Sequence, residues 1–405
     1  MAVNLEAARD LLPVAGVRLG VAQAGIKHAG RDDLLLMEAA AGSTSGAVFT
    51  RNAFCAAPVV VARRHREATE PRFLLVNSGN ANAGNGPSGL ENTLRTCRAV
   101  AALAGCAPEA VLPFSTGVIG QPLPVDRVEA ALPEALAGLE TDGWERAARA
   151  IMTTDTLAKG RSVRRTLPEG SLTVTGIAKG AGMIRPDMAT MLAFLATDAR
   201  VPRDLLQRCL AEAVEGSFNR ITVDGDTSTN DACVLIATGA GGPVIENPSG
   251  AGYAALREAV GEVCTHLAQA IIRDAEGATK FVTVTVQEGA TEAECLAVAY
   301  AIAHSPLVKT ALFASDPNWG RILAAVGRAG IEALEIDRVG IAVNGIPIVT
   351  GGGRSAHYSE AQGQAAVREA EVTIQVALGR GACSATVWTS DLSYEYVRIN
   401  AEYRT

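Results

Sequence analysis

Lys179 and Thr190 stand apart in the otherwise apolar stretch AKGAGMIRPDMATMLAF, residues 178–194. A loop running into a buried strand would explain the stretch without any chemistry. The chemical reading makes Thr190 a nucleophile, provided that it becomes a chain terminus. A terminal α-amine has a pKa of ~7.7–8.0, so near neutral pH part of it is uncharged and can take the hydroxyl proton as an internal base. To expose that amine, Thr190 Oγ1 would attack the carbonyl carbon of Ala189 and shift the acyl group from nitrogen to oxygen. Water would then cleave the ester. A small residue at 189 and the glycine-bearing approach GAG at 180–182 suit such a contortion of the backbone.

A second candidate is PFSTGVIG, residues 113–120, where Ser115, Thr116 and Gly117 follow the apolar pair Val111 and Leu112. A glycine N–H approaches a developing oxyanion closely; a polar turn is the plainer reading. NSGNANAG, residues 77–84, sets several amides at the end of the apolar run FLLV and reads best as an asparagine-rich turn. The glycine clusters GNGPSG (84–89) and GGGR (351–354) lack the phosphate-loop pattern and read as turns. No G-x-S-x-G elbow occurs, and no His sits beside a candidate Ser or Cys, so a conventional triad is not signalled. The five histidines and eight cysteines are scattered, with neither C-x-x-C nor H-E-x-x-H, so no metal is expected.

The elements that must carry these residues follow from periodicity. GVRLGVAQAGIK, DDLLLMEAA, GAVFT, APVVVA and RFLLVNSG predict a strand-rich opening, one large sheet, with the basic run Arg63–Arg66 as a solvated loop beside APVVVA. ENTLRTCRAVAALAG has apolar residues three and four apart and Gly105 where a C-terminal cap belongs, so it predicts a helix. VDRVEAALPEALAGLE predicts a helix interrupted by Pro133, and GWERAARAIMTTD another. VPRDLLQRCLAEAVEGSFN is a further helix, and RITVDGDTSTNDACVLIATG a strand-turn-strand passage turning at Asp224–Gly225. A long helix over GYAALREAVGEVCTHLAQAIIRDAEG leads into the alternating strand KFVTVTVQEG. The closing run DLSYEYVRINAEYRT alternates like a strand. Strands and helices restart near residues 286–292, which places a structural boundary at 288/289.

With 405 residues, 48% of them hydrophobic, 41 glycines and 4% aromatic residues, the chain is a compact α/β protein of more than one domain. A net charge of −7 argues against nucleic acid as partner, because phosphate binding needs a basic surface. No run of roughly 18 apolar residues predicts a membrane span. The N-terminus has no apolar segment behind a basic start, so a cytoplasmic location is expected.

Seven motifs in order carry a resemblance: FTRNAFCAAPV, VNSGNANA, STGVIG, MTTDT (152–156), AKGAGMIRPDMATML (178–192), DAEGATK (274–280) and DPNWGRI (316–322). Together they closely resemble the ornithine acetyltransferase, or glutamate N-acetyltransferase, family of arginine biosynthesis, from residue 10 to the end. The resemblance implies a precursor that cuts itself between Ala189 and Thr190 into an α chain, 1–189, and a β chain, 190–405, held together as α2β2. The implied fold is an α/β layered sandwich, helices flanking stacked sheets, similar in layout to N-terminal nucleophile hydrolases but differently connected. It would comprise a main domain, 1–288, and a smaller α/β domain, 289–405, whose tail returns to the active site. Carried over by motif, Thr190 is the residue acetylated, Thr116 and Gly117 form the oxyanion hole, and Thr153, Lys179, Glu276, Asn400 and Thr405 bind substrate. The implied reaction moves the acetyl group of N-acetylornithine to glutamate with no bound cofactor; acetyl-CoA is a further possible donor. A self-processing aminopeptidase or amidase of the same fold, and a non-enzymatic small-molecule binder, are the alternatives.

Overall fold

The computed structural model describes residues 2–185 and 191–402. Its contacts divide the chain into two units, one comprising residues 6–219 and 226–271 and the other residues 2–5, 220–225 and 272–402.

The larger unit is a four-layer sandwich. One sheet has the order β1 (Val17–Ala22), β2 (Leu34–Ala39), β4 (Phe73–Asn80), β5 (Val111–Val118). The other runs β3 (Thr44–Phe49), β10 (Ala232–Ala237), β8 (Leu192–Thr197), β7 (Gly170–Lys179), β6 (Lys159–Leu167). The sheets face each other across one core that takes Leu74, Val76, Leu112 and Phe114 from the first and Phe49, Ile177, Phe194 and Val234 from the second. The Phe114 and Phe194 rings meet edge to face there, with centroids 5.0 Å apart. Leu75 and Phe73 alternate with Leu74 and Val76 onto the opposite face, under α2 (Gly86–Ala104) and α3 (Val125–Ala137). Because both faces are covered, the strand reads as an unbroken apolar run. α5 (Arg203–Glu215) and α6 (Ala251–Arg273) cover the outer face of the second sheet; α6 lies so close that a Cβ on Gly176 would reach Val263 Cγ1 at 2.9 Å. α4 (Trp144–Ala150) is embedded in the central core through Trp144, Ala147 and Ala148.

The smaller unit is a seven-stranded sheet. Its order is β14 (Gly353–Arg354), β13 (Ile346–Thr350), β12 (Gly340–Val343), β15 (Glu371–Ala377), β11 (Phe281–Gly289), β16 (Cys383–Ser390), β9 (Ile221–Thr222). Val282, Val284 and Val286 point into a core closed by α7 (Glu292–Ala303), α8 (Pro306–Phe313), α9 (Trp319–Gly327) and α10 (Glu360–Arg368). No single described helix is long and apolar enough to cross a membrane.

Several expectations change. The opening strands belong to two sheets rather than one, since β3 pairs with β10 and not with β2. APVVVARRHREA is a helix, α1 (Ala57–Ala68): its valines resemble a strand, but Pro58 suits a first turn, and Val59, Val61 and Ala62 are all buried. Its basic residues lie on this helix rather than in a loop: Arg63 and Arg64 are exposed, Arg63 lying 5.5 Å from the Phe49 ring centroid, but Arg66 donates to Ser45 O at 2.8 Å and His65 is buried against Val111 O at 2.8 Å. α3 continues through Pro133. β9 and β10 form no hairpin, because each joins a different sheet. The closing strand is instead the helix α11 (Tyr394–Glu402), capped by Ser393, whose Oγ accepts from Tyr396 N at 3.3 Å. β11, assigned by sequence to the 1–288 domain, is a central strand of the smaller unit, so the division falls at 271/272 rather than 288/289.

Candidate active site

Thr116 and Gly117 sit near the end of β5, where its parallel pairing with β4 becomes irregular: Asn80 registers with both Thr116 and Val118. Gly79 and Gly117 lie opposite each other with φ of +109° and +132°. A Cβ on Gly117 would fall 2.3 Å from the Gly79 carbonyl carbon, so the approach requires glycine. The irregularity removes ladder bonds, and buried amides replace them. Asn77 Nδ2 donates to Asn80 O at 2.9 Å, and Ser115 Oγ donates to Asn77 Oδ1 at 2.5 Å. Asn82 Nδ2 donates to Thr93 Oγ1 at 2.8 Å. Asn230, from the TSTND segment, donates to Ala81 O at 2.6 Å and Ser115 O at 2.9 Å. The asparagine-rich run is therefore scaffold, and what it holds in place is the Thr116–Gly117 strand end.

Lys179 is the last residue of β7 and is buried; its Nζ donates to Thr116 Oγ1 at 3.3 Å. Behind it lies a fully buried carboxylate, Asp155. Asp155 Oδ1 accepts from Lys159 Nζ at 2.7 Å and from Gly180 N at 2.7 Å, while Oδ2 accepts from Thr153 N at 3.0 Å. Burial works to raise the Asp155 carboxyl, but the Lys159 and Lys179 ammonium groups and the Gly180 N–H outweigh it and hold the group well below the usual carboxylate range. Four motifs thus converge in this unit: STG, MTTDT, the start of AKGAG and the asparagine run.

Ala189 and Thr190 lie outside the described residues, as does Thr405. The chain flanking Ala189 and Thr190 is described. Leu192 is the antiparallel partner of Lys179, and the carbonyl of Met191 accepts from Ala232 N at 3.0 Å. On the other side Gly180 has φ +154° and Met183, a non-glycine residue, φ +54°.

Glu276 and Asn400 meet within the smaller unit, Asn400 Nδ2 donating to Glu276 Oε2 at 2.8 Å. Next to Glu276, Gly277 (φ +68°) lets α11 begin: its carbonyl accepts from Ser393 Oγ at 2.6 Å, and a Cβ would fall 2.4 Å from Tyr396 N. DPNWGR is a turn and cap, Asn318 Oδ1 accepting from Arg321 N at the start of α9. Among the described residues no cluster of His, Cys, Asp or Glu could hold a metal.

The residues that sequence reading passed over are Asp155, Lys159 and Asn230. Asp155 stood inside a quoted motif, with Lys159 four residues on, but nothing in linear order shows that it meets Gly180.

Between residues 18 and 405 the chain matches the ArgJ family. It belongs to that family. Arginine biosynthesis bifunctional protein ArgJ of Pseudomonas syringae pv. tomato is 57% identical over 406 residues, the whole of both chains. The protein of the same name from Methylococcus capsulatus is 60% identical, covering 98% of this chain and 97% of its own. Among solved structures, the ornithine acetyltransferase of Mycobacterium tuberculosis, complexed with ornithine, is 34% identical over 45% of this chain and 98% of its own, with a TM-score of 0.41. As an ArgJ protein the chain is an acyltransferase of arginine biosynthesis acting on small molecules.

Proposed function

We propose that the chain transfers the acetyl group of N-acetylornithine to glutamate through an ester on Thr190, after cutting itself before that residue. The observation that carries this reading is the Lys179–Thr116 hydrogen bond at 3.3 Å beside Gly117, with Leu192, two residues after Thr190 in sequence, in register with Lys179. A hydroxyl and a glycine strand end suit the oxygen that becomes negative when an acyl group is attacked, and the cation beside them suits a substrate carboxylate.

In the cut, Thr190 Oγ1 attacks the Ala189 carbonyl carbon, the peptide nitrogen leaves as the new α-amine, and water hydrolyses the ester to free the Ala189 carboxylate. In the first half-reaction Thr190 Oγ1 attacks the acetyl carbonyl; the α-amine takes the hydroxyl proton and returns it to the departing ornithine nitrogen. In the second, the glutamate amine attacks the acetyl ester and the proton path reverses. Thr116 and Gly117 are assigned the oxyanion, Lys179 and Thr153 a carboxylate, and Glu276, Asn400 and Thr405 the ammonium and polar groups of the substrate. Acetyl-CoA is a second acetyl donor to the same ester, and no bound cofactor takes part. The working form is an α2β2 assembly in the cytoplasm.

Intact mass after brief incubation with N-acetylornithine tests the reading. It expects two chains, the second beginning at Thr190 and one acetyl group heavier; an unmodified second chain refutes the ester. Thr190→Ala should stay one uncut, inactive chain and Thr190→Ser should still cut, more slowly. Normal processing of Thr190→Ala would end the self-cleavage account. An aminopeptidase-like hydrolase would release ornithine and acetate without forming N-acetylglutamate.

A further inference from the structure

Asp155 does more than balance Lys159. A buried ion pair by itself gains little over well-packed apolar side chains, so its use is to be sought in the other atoms it touches. Those atoms belong to the proposed site: the backbone N–H of Thr153 at 3.0 Å, and that of Gly180, the residue after Lys179, at 2.7 Å. We propose that Asp155 is a positioning residue for acetyl transfer, placing Thr153 and the Lys179–Gly180 turn with its two oxygens and setting a negative charge behind Lys179.

This inference rests on the functional reading given above. Without the carboxylate, Gly180 at φ +154° would lose the acceptor of its buried N–H. Among the described residues the charges that act on Asp155 are Lys159 from β6 and Lys179 from β7; Thr116 of β5, which is neutral, accepts from Lys179, and Arg31 donates to the Met152 carbonyl nearby. Two ammonium groups therefore share one carboxylate. Removing the carboxylate sets them against each other, and removing Lys159 leaves the carboxylate to Lys179 alone.

The two changes move the same titration in opposite directions, which a purely structural role would not do. Transfer from N-acetylornithine to glutamate is followed as kcat/KM against pH for the wild type, Asp155→Asn and Lys159→Met. The alkaline limb should move down by about one pH unit or more in Asp155→Asn and upward in Lys159→Met, because the first removes a negative and the second a positive charge from beside the site. Asp155→Glu keeps the charge but displaces the oxygens, so its limb should stay near wild type while kcat falls about tenfold or more. Limbs that superimpose on wild type in Asp155→Asn and Lys159→Met, or that move the same way, overturn the proposal. If Asp155→Asn fails to fold or to cut, Lys159→Met alone decides by the sign of its shift. A wild type that forms no acetyl ester would instead overturn the functional reading on which this one stands.

Discussion

Lys309, on α8, has a completely buried ammonium group that touches no carboxylate directly. Its Nζ donates to Thr389 Oγ1 at 2.9 Å and to the Ser390 carbonyl, and its own carbonyl accepts from Leu392 N at 3.3 Å. Burial lowers its pKa from 10.5 to about 8, against Asp391 and Asp224, which raise it. Below about pH 8 the folded and unfolded chains both hold the proton, and folding bears the cost of burying the charge. Between about 8 and 10.5 the folded lysine is neutral while the unfolded chain still binds the proton, so this group's contribution to stability rises with pH. Urea unfolding should show the stability of wild type relative to Lys309→Met improving by about 2 kcal/mol from about pH 7.5 to 10. A gap that stays constant or moves against wild type would rule out a buried ammonium at this position. Asp155 and Asn230 are equally hard to see from sequence, for a different reason. They join Gly180 and Ala81 across 25 and 149 residues, and no local pattern records such separations. Lys179 draws attention in the sequence because it sits in an unusual local frame, whereas Thr116 and Gly117 read locally as a polar turn and are singled out by the family motif.

Elements declare themselves when local preference and tertiary setting agree. α2 was legible because its apolar spacing and the left-handed cap at Gly105 (φ +69°) say the same thing, and β11 because one of its faces is buried and the other is not. α1 and α11 were misread because β-branched or alternating residues suggested strands where no sheet edge takes them. α11 is held instead by Ser393 and by Arg398, which pairs with Glu395 and Glu402 one turn to either side. Its start depends on Gly277, so Gly277→Ala should shift the helix and loosen the Glu276–Asn400 pair. Steady-state kinetics should then show KM for the amino-acid substrates raised about tenfold, with precursor cutting at the wild-type rate on a denaturing gel. An unchanged KM would detach α11 from substrate binding.

Across the whole molecule, the proposed cut falls between two hydrogen-bonded neighbours, β7 and β8. In the order β3-β10-β8-β7-β6, the adjacent strands β10 and β8 would belong to one product and β3, β7 and β6 to the other. The shared core would also draw on both products, mostly on the first, with Phe114 from one against Phe194 from the other. Cutting should leave the native size unchanged, with both chains in one peak on gel filtration and two bands only under denaturing conditions. Elution as separate species in native buffer would be incompatible with this sheet.

If the proposed cut is made, that mixed parentage of the sheet would give the protein a direction in time. The uncut chain folds by a first-order process, every strand tethered to its neighbours. Once cut, a melted molecule must find its other half by collision, and until then each half bares strand edges that pair just as readily with the wrong chain. The mature enzyme should therefore persist through slow unfolding rather than through a reversible equilibrium. A cut enzyme of this kind would be assembled once, and cooling would not undo heat damage to it.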